Sequence, residues 1–397
     1  MPPILGLARR LVERGHSVRV MSDPCNEVEA RAAGCDFTGY SRAPHRSDKS
    51  AASTLFRDYE ANNRSDRLRA AAKMLASSGY AEDVLEEIKA RPVDVVAVND
   101  LLISAFFAPE KAGIPAVMLV PDCGGRFPAP GNGLIGKAKV GLITFLFQRI
   151  LLPQLIADLQ TTRKSLGLPP VRSLFSYIQK LPKILVMTSR AFDPKTEAGP
   201  NTRYIGPILD DPSWAEAWQS PWPADQTDPL VVVGLSTTYQ HQEELLQNVL
   251  DAMEGLRVRG LVTLGPTLDK GQFKIPSNVV VRQSVPHAQV FPLASAVVTH
   301  GGHGTVIRAL AHGVPIVCIP FGRDQPANAA RIVATGVGLK LDKQADVASI
   351  RQAIQRVISE PTFGDNARKL GKIISEDARH STGVQELEQV AAPAGVA

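Results

Sequence analysis

At 397 residues the chain exceeds what one ordinary hydrophobic core supports, and at roughly 150 residues per domain it predicts two domains of similar size. Its 44 basic and 39 acidic residues leave a net charge of +5, spread without a long basic run or an aromatic-basic array, which argues against nucleic-acid binding. Apolar residues make up 44%, yet the most apolar segment, Val140 to Ile156, is broken by Gln148, Arg149 and Pro153 and falls short of the ~20 residues a membrane span needs.

The four cysteines, Cys25, Cys35, Cys123 and Cys318, show no Cys-X-X-Cys spacing, and no basic start followed by an apolar core opens the chain. A reduced, cytoplasmic protein is expected. The first residues instead place Ile4, Leu7, Ala8, Leu11 and Val12 at the spacing of an amphipathic helix, ended by Gly15, with a strand at Ser17 to Met21. This is the second half of a βαβ unit. Asp94 to Asn99 (strand), Ala105 to Ala112 (helix) and Ala116 to Val120 (strand) continue the alternation of a doubly wound sheet.

Ser41 to Ser53 and Gly124 to Gly133 read as long loops on the ligand-binding rim. Val140 to Leu166 reads as helical with apolar residues on more than one side, either core packing or an apolar acceptor channel. Ile184 to Thr188 is another expected strand. The stretch from Asn201 to Pro223, with five prolines or glycines and Trp214, Trp218 and Trp222, reads as the connection between domains.

The alternation then restarts, with strands expected at Leu230 to Leu235, Leu261 to Leu264, Val279 to Arg282, Ala296 to His300 and Pro315 to Pro320. Helices are expected at Glu243 to Met253, Thr305 to Ala311 and Val347 to Ile358, followed by one ending at Ile374 and one from Gln385 to Val390. The limits taken are 1–205 for the first domain, 206–223 for the linker, 224–375 for the second domain and 376–397 for a C-terminal helix and tail.

Ligands of open parallel sheets sit at the carboxyl ends of strands, where helix N-termini offer free N–H groups to anions. His300-Gly301-Gly302-His303-Gly304-Thr305 occupies such a place. Gly301, Gly302 and Gly304 let a diphosphate approach the backbone, the Thr305 hydroxyl donates to a phosphate oxygen, and His300 adds a donor at the strand end. A ligand-free glycine turn and a metal site on His300 and His303 are the competing readings. Past the next strand end, Asp324 and Gln325 suit sugar hydroxyls, and equally suit a helix N-cap. Ser236, Thr237 and Thr238 bring three hydroxyls to the same rim, for capping or for phosphate. Ser284-Val285-Pro286-His287 lies where backbone groups can read a nucleobase edge and His287 can stack on it; a plain surface histidine fits as well.

This set, in this order, resembles the nucleotide-sugar glycosyltransferases of family 1, the UDP-glucosyl/glucuronosyltransferase-like type, and most of all their bacterial natural-product and macrolide branch. Residues 7–16 look like that family's first helix. Val285-Pro286-His287, His300 to Thr305, and Asp324-Gln325 look like its donor signature. The resemblance implies an α/β GT-B fold, two Rossmann-like domains facing a cleft, with an acceptor half and a donor half. It implies an inverting, metal-independent transfer of a hexose from a UDP- or dTDP-sugar to a hydroxyl of an apolar small molecule or lipid. The sugar nucleotide is then a co-substrate, no cofactor is expected, and peripheral membrane contact stays open. The chain has no Asp-X-Asp triplet of the metal-dependent kind.

The family's catalytic base is a histidine in the loop after its first strand, oriented by an aspartate at a later strand end. Asp100 matches the aspartate. The histidine has no counterpart, so the first strand and its loop are expected upstream of Met1, in about 15 to 20 further residues. Without that strand, a slot of unpaired backbone is expected near the centre of the first sheet. Other readings are a catalytically silent partner protein of the same fold, or a nucleotide-sugar epimerase on it.

Overall fold

In the computed structural model, which describes residues 2–55, 74–123, 152–171, 173–194, 196, 198–211, 218–236 and 239–392, strands and helices alternate in two successive sets. The first comprises α1 (Pro2–Glu13), β1 (Arg19–Ser22), α2 (Glu27–Ala32), β2 (Asp36–Gly39), α3 (Ser78–Ala90), β3 (Val96–Asn99), α4 (Phe107–Ala112), β4 (Ala116–Val120), α5 (Leu152–Ser165), α6 (Leu174–Ile178), β5 (Lys183–Val186) and β6 (Thr202–Tyr204). All its pairings are parallel, but they form two pieces, β1-β2 and β3-β4-β5-β6. Among the described residues no strand joins β1 to β3, and the break falls where the resemblance places a central strand.

Helix α1 spans that break, and its apolar spacing explains how. Leu7 packs with Val117, Leu119 and Leu185 of the larger piece, whereas Leu5 and Ala8 pack with Val20, Ala30 and Cys35 of the smaller one. Strand β4 is buried along its whole length, as a central parallel strand must be. Ala116, Met118 and Val120 face a core that includes Phe107, Leu155 and Leu159, while Val117 and Leu119 face α1, as the two-residue period requires. The described part of the apolar stretch after Val140 thus serves core packing; residues 124–151, including the Gly124 to Gly133 loop, lie outside the described residues.

The second set comprises β7 (Leu230–Gly234), α7 (Glu243–Met253), β8 (Arg259–Thr263), β9 (Val279–Arg282), α8 (His287–Val290), β10 (Ala296–Thr299), α9 (His303–Ala311), β11 (Ile316–Cys318), α10 (Gln325–Ala334), β12 (Gly338–Lys340), α11 (Val347–Ser359), α12 (Pro361–Arg379) and α13 (Gly383–Ala391). Its six strands pair in parallel in the order β12-β11-β10-β7-β8-β9. Val231 and Val233 of β7 face α7 and α11, and Leu230 and Val232 face α9 and α10, so helices cover both faces. Helix α12 packs Ala367 and Ile374 on Ile307 and Leu310 of α9. Helix α13 then returns to the first set, with Leu387 on Leu7, Val117 and Leu185.

The fold is α/β and GT-B in arrangement, as expected. One correction concerns the stretch read as a connection from Asn201. Thr202–Tyr204 is an edge strand, with Thr202 opposite Ile184, too short and too polar to show a period. Among the described residues no helix is long and apolar enough to cross a membrane.

Candidate functional site

Strands β7 and β10 are neighbours, with Gly234 opposite Thr299, and the sheet's connections run outward from them in opposite directions. That reversal is where open parallel sheets place a ligand. The residues after both strands meet there: a Cβ on Gly234 would lie 3.9 Å from the Thr305 methyl.

Gly301 has φ of 88°, a region L-residues avoid, and a Cβ there would come within 2.7 Å of Cys318 Sγ. A Cβ on Gly302 would run into the His300 ring, and Gly302 is the N-cap of α9. Gly304 is less constrained, its would-be Cβ 3.3 Å from Arg308 Nη1. Together these glycines bring bare backbone to the start of a helix whose first N–H groups have no intrahelical acceptor.

His300 closes the strand end. It is 8% exposed, and burial, only partly offset by a hydrogen bond with the Gly234 backbone and by Asp324, pushes its pKa down to about 4. The imidazole is therefore neutral near pH 7. His303, three residues further along the motif, points elsewhere. Its Nδ1 lies 3.8 Å from Cys123 Sγ, its ring lies against Phe192, and burial lowers its pKa to about 4 as well. Among the described residues no three His, Cys, Asp or Glu side chains gather as a metal site, and the two histidines face different surroundings.

At the next strand end the chain makes a tight turn. Arg323 adopts φ of 61°, a left-handed conformation costing a non-glycine residue roughly 1–2 kcal/mol, and Asp324 follows. Asp324 occupies the N-cap position of α10 but makes no side-chain cap bond. Pro326 explains part of this, since it removes the N–H that a capping carboxylate would take. Instead Asp324 Oδ2 accepts a hydrogen bond from Asn328 Nδ2 at 2.9 Å, and Asn328 also donates to the Gly301 carbonyl at 2.9 Å.

Gln325 departs from its expected place. It is 2% exposed; its Oε1 accepts from the Phe321 and Gly322 amides at 2.8 and 3.1 Å, and its Nε2 donates to Gln240 Oε1 at 3.1 Å. Gln240 in turn donates to Ser236 Oγ at 2.5 Å, and Gln242 to the Ser236 carbonyl. The amide expected on a sugar thus braces the turn before α10 against the end of β7. Ser236 is buried in the same network, while Thr237 and Thr238 lie outside the described residues.

Val285 packs on the core beside α9. His287 is neither a bare surface residue nor free on both faces: its ring stacks on Phe291 with centroids 4.4 Å apart, and burial, then Arg308 and His312, lower its pKa to about 4. Asp100 follows β3, buried, with its N–H on the Leu119 carbonyl at 2.9 Å. It lies one strand from the turn carrying Cys123.

That turn brings the two sets together. Cys123, after β4, sits 3.8 Å from both His303 Nδ1 and Asn328 Oδ1. Farther along α10, Arg331 makes two bonds to Asp193 Oδ1, at 3.1 and 2.7 Å. Burial pushes the Asp193 pKa up, and hydrogen bonds from Thr196, Tyr204 and Arg331 more than reverse it, so the carboxyl is held below its ordinary range. Sequence reading missed Cys123, Asn328, Asp193 and Arg331. Only Asn328 left a trace, four residues after Asp324 where a helix begins.

Residues 247–389 match the family described as "Erythromycin biosynthesis protein CIII-like, C-terminal domain". Among curated relatives, 4'-demethylrebeccamycin synthase of Lentzea aerocolonigenes is 28% identical over 393 residues, covering 93% of this chain and 91% of that protein. Among solved structures, the calicheamicin glycosyltransferase CalG4 superposes with a TM-score of 0.77 at 22% identity, covering 100% of this chain and 96% of that one. The glycosyltransferase VinC in complex with dTDP gives 0.70 at 19% identity, covering 98% and 96%. The chain is thus a glycosyltransferase with the GT-B fold, whose residues 247–389 match that C-terminal domain and which is similar over nearly its whole length to 4'-demethylrebeccamycin synthase.

Proposed function

We propose that the chain transfers a hexose from a UDP- or dTDP-sugar, with inversion and without a metal ion, to a hydroxyl of an apolar small molecule or lipid. The observation that carries this reading is the glycine turn at the sheet's reversal point, where bare backbone, the N-terminus of α9 and His300 converge. A diphosphate there meets oriented N–H groups and the positive end of a nine-residue helix, which stabilise its charge as it leaves the sugar. VinC, a structural neighbour, is described in complex with dTDP, which supports a nucleoside diphosphate at this end of the fold.

In this reading His300 and the Thr305 hydroxyl contact the diphosphate, the backbone near Val285 meets the base edge with His287 beside it, and Asp324 takes sugar hydroxyls. Gln325 and Ser236 hold the turns in place. Asp100, buried at the carboxyl end of β3, handles the acceptor's proton, and attack on the anomeric carbon from the face opposite the diphosphate inverts it.

Transfer from an α-configured donor to a phenolic acceptor tests both points. Proton NMR of the product should show the β anomer, and Asp100→Asn should lower kcat about 100-fold or more while leaving nucleoside diphosphate affinity unchanged. Retention of configuration, or an unaltered kcat in Asp100→Asn, contradicts the reading.

A further inference from the structure

Two parts of the candidate site come from separate stretches of chain, the Gly301 turn after β10 and the Asp324 carboxylate before α10. One buried side chain joins them. Asn328 is 1% exposed and spends both amide hydrogens, one on the Gly301 carbonyl and one on Asp324 Oδ2, each at 2.9 Å. Its Oδ1 faces the Cys123 thiol at 3.8 Å.

The arrangement follows from helix geometry. Residues four apart share a helix face, so the first residue at the α10 boundary and Asn328 on its first turn point the same way. Pro326 removes one backbone donor that would draw the carboxylate into a cap. Two N–H groups from one planar amide then fix the carboxylate's direction relative to the Gly301 carbonyl, and no water-exposed rotamer competes at a site this buried. Gly301 itself is held from the other side, its N–H on Thr299 Oγ1 at 3.3 Å.

We infer that Asn328 is a positioning residue: it holds the Asp324 carboxylate in fixed register with the diphosphate turn, so that the acid meets sugar hydroxyls while the turn holds the phosphates. The inference rests on the reading of Asp324 as a sugar contact. Asn328 touches no substrate; its effect on transfer passes through Asp324.

A double-mutant cycle tests it. Asn328→Ala, Asp324→Ala and the double variant are compared by donor kcat/KM and by calorimetric affinity for the nucleoside diphosphate alone. Asn328→Ala should lower kcat/KM about 10-fold or more and change diphosphate affinity far less. Once Asp324 is gone, the same substitution should cost little further, a coupling of the size seen for residues in one hydrogen-bond network. Asn328→Asp, which keeps the shape but exchanges the two donors for acceptors facing Asp324 and the Gly301 carbonyl, should be the more damaging single change.

Full additivity of the two losses, or wild-type kcat/KM in Asn328→Asp, overturns the positioning role while leaving the sugar contact standing. Wild-type kcat/KM in Asp324→Ala overturns the sugar contact, and the positioning role with it. Equal loss of diphosphate affinity and of kcat/KM in Asn328→Ala marks Asn328 as scaffold for the whole turn, and also overturns the proposal.

Discussion

His300 and His303 are uncharged near pH 7 because each is buried, and the burial that keeps them neutral also sets how stability responds to acid. Both pKa values lie near 4 in the folded chain against about 6.5 when unfolded. Below about 6.5 the unfolded chain therefore binds protons that the folded chain refuses. The stability these residues contribute is intact above that value and is lost as pH falls toward 4, reaching roughly 3 kcal/mol for each when protonation is complete. Urea unfolding at pH 7.5 and pH 5 should show this loss, and His303→Gln should flatten the difference. Equal midpoints at the two pH values in the parent chain would count against the buried, neutral assignment.

At the scale of elements, the turn from β10 into α9 is the most demanding piece of backbone in the site. Gly301→Ala asks an L-residue to hold φ near 88° and pushes a methyl toward Cys318 Sγ. The two effects together should cost about 2–4 kcal/mol and abolish nucleoside diphosphate binding. Thermal unfolding with calorimetry checks both, and a well-bound diphosphate in this variant would mean that the turn is not its seat.

The same turn shows why part of the molecule could be read from sequence. Its glycines carry a backbone demand that no other residue meets, and fully apolar strands such as Leu230–Gly234 and Ala116–Val120 announce burial on both faces. Asp324 and Gln325 carried one shared expectation. The burial of Gln325 that separates them depends on Gln240 and Ser236, about 85 residues away in the chain. Edge strands β6 and β12, three residues each, are too short to carry a period, and Cys123, Asp193 and Arg331 matter only because folding brings two distant sheets together.

Over the whole molecule, the two sets are tied by a few polar contacts, buried at Asp193, and by one returning helix. Asp193 and Arg331 pair across the boundary; Arg9 and Arg10 of α1 hold Asp210, and the Arg308 guanidinium reaches the Asp210 carbonyl at 3.4 Å. Helix α13 adds Glu386 to Lys183, and Glu388 to Arg14 and His16, while Leu387 enters the core beside α1. Arg331→Ala removes the countercharge from a carboxylate that is 1% exposed, leaving it the Thr196 and Tyr204 hydroxyls, and should destabilise the chain by about 3–5 kcal/mol. Chemical denaturation checks this, and Asp193→Asn in the same background should restore part of the loss. If Arg331→Ala leaves the midpoint unmoved, that pair does not hold the two sets together.

The helix α13 contacts also explain why α1 stays in place although the sheet beneath it is in two pieces. It is clamped between β4, β5 and α13 on one side and β1 and α2 on the other. The second set needs no such clamp, since its six strands form one continuous sheet with the glycine turn at its point of reversal. Calorimetric titration of UDP and dTDP into the parent chain and into His300→Ala tests that assignment most directly. Saturable, one-site binding of at least one of the two nucleotides is expected, weakened about 10-fold or more by the substitution, as for losing a hydrogen bond to a charged group. Affinity unchanged in His300→Ala would contradict it.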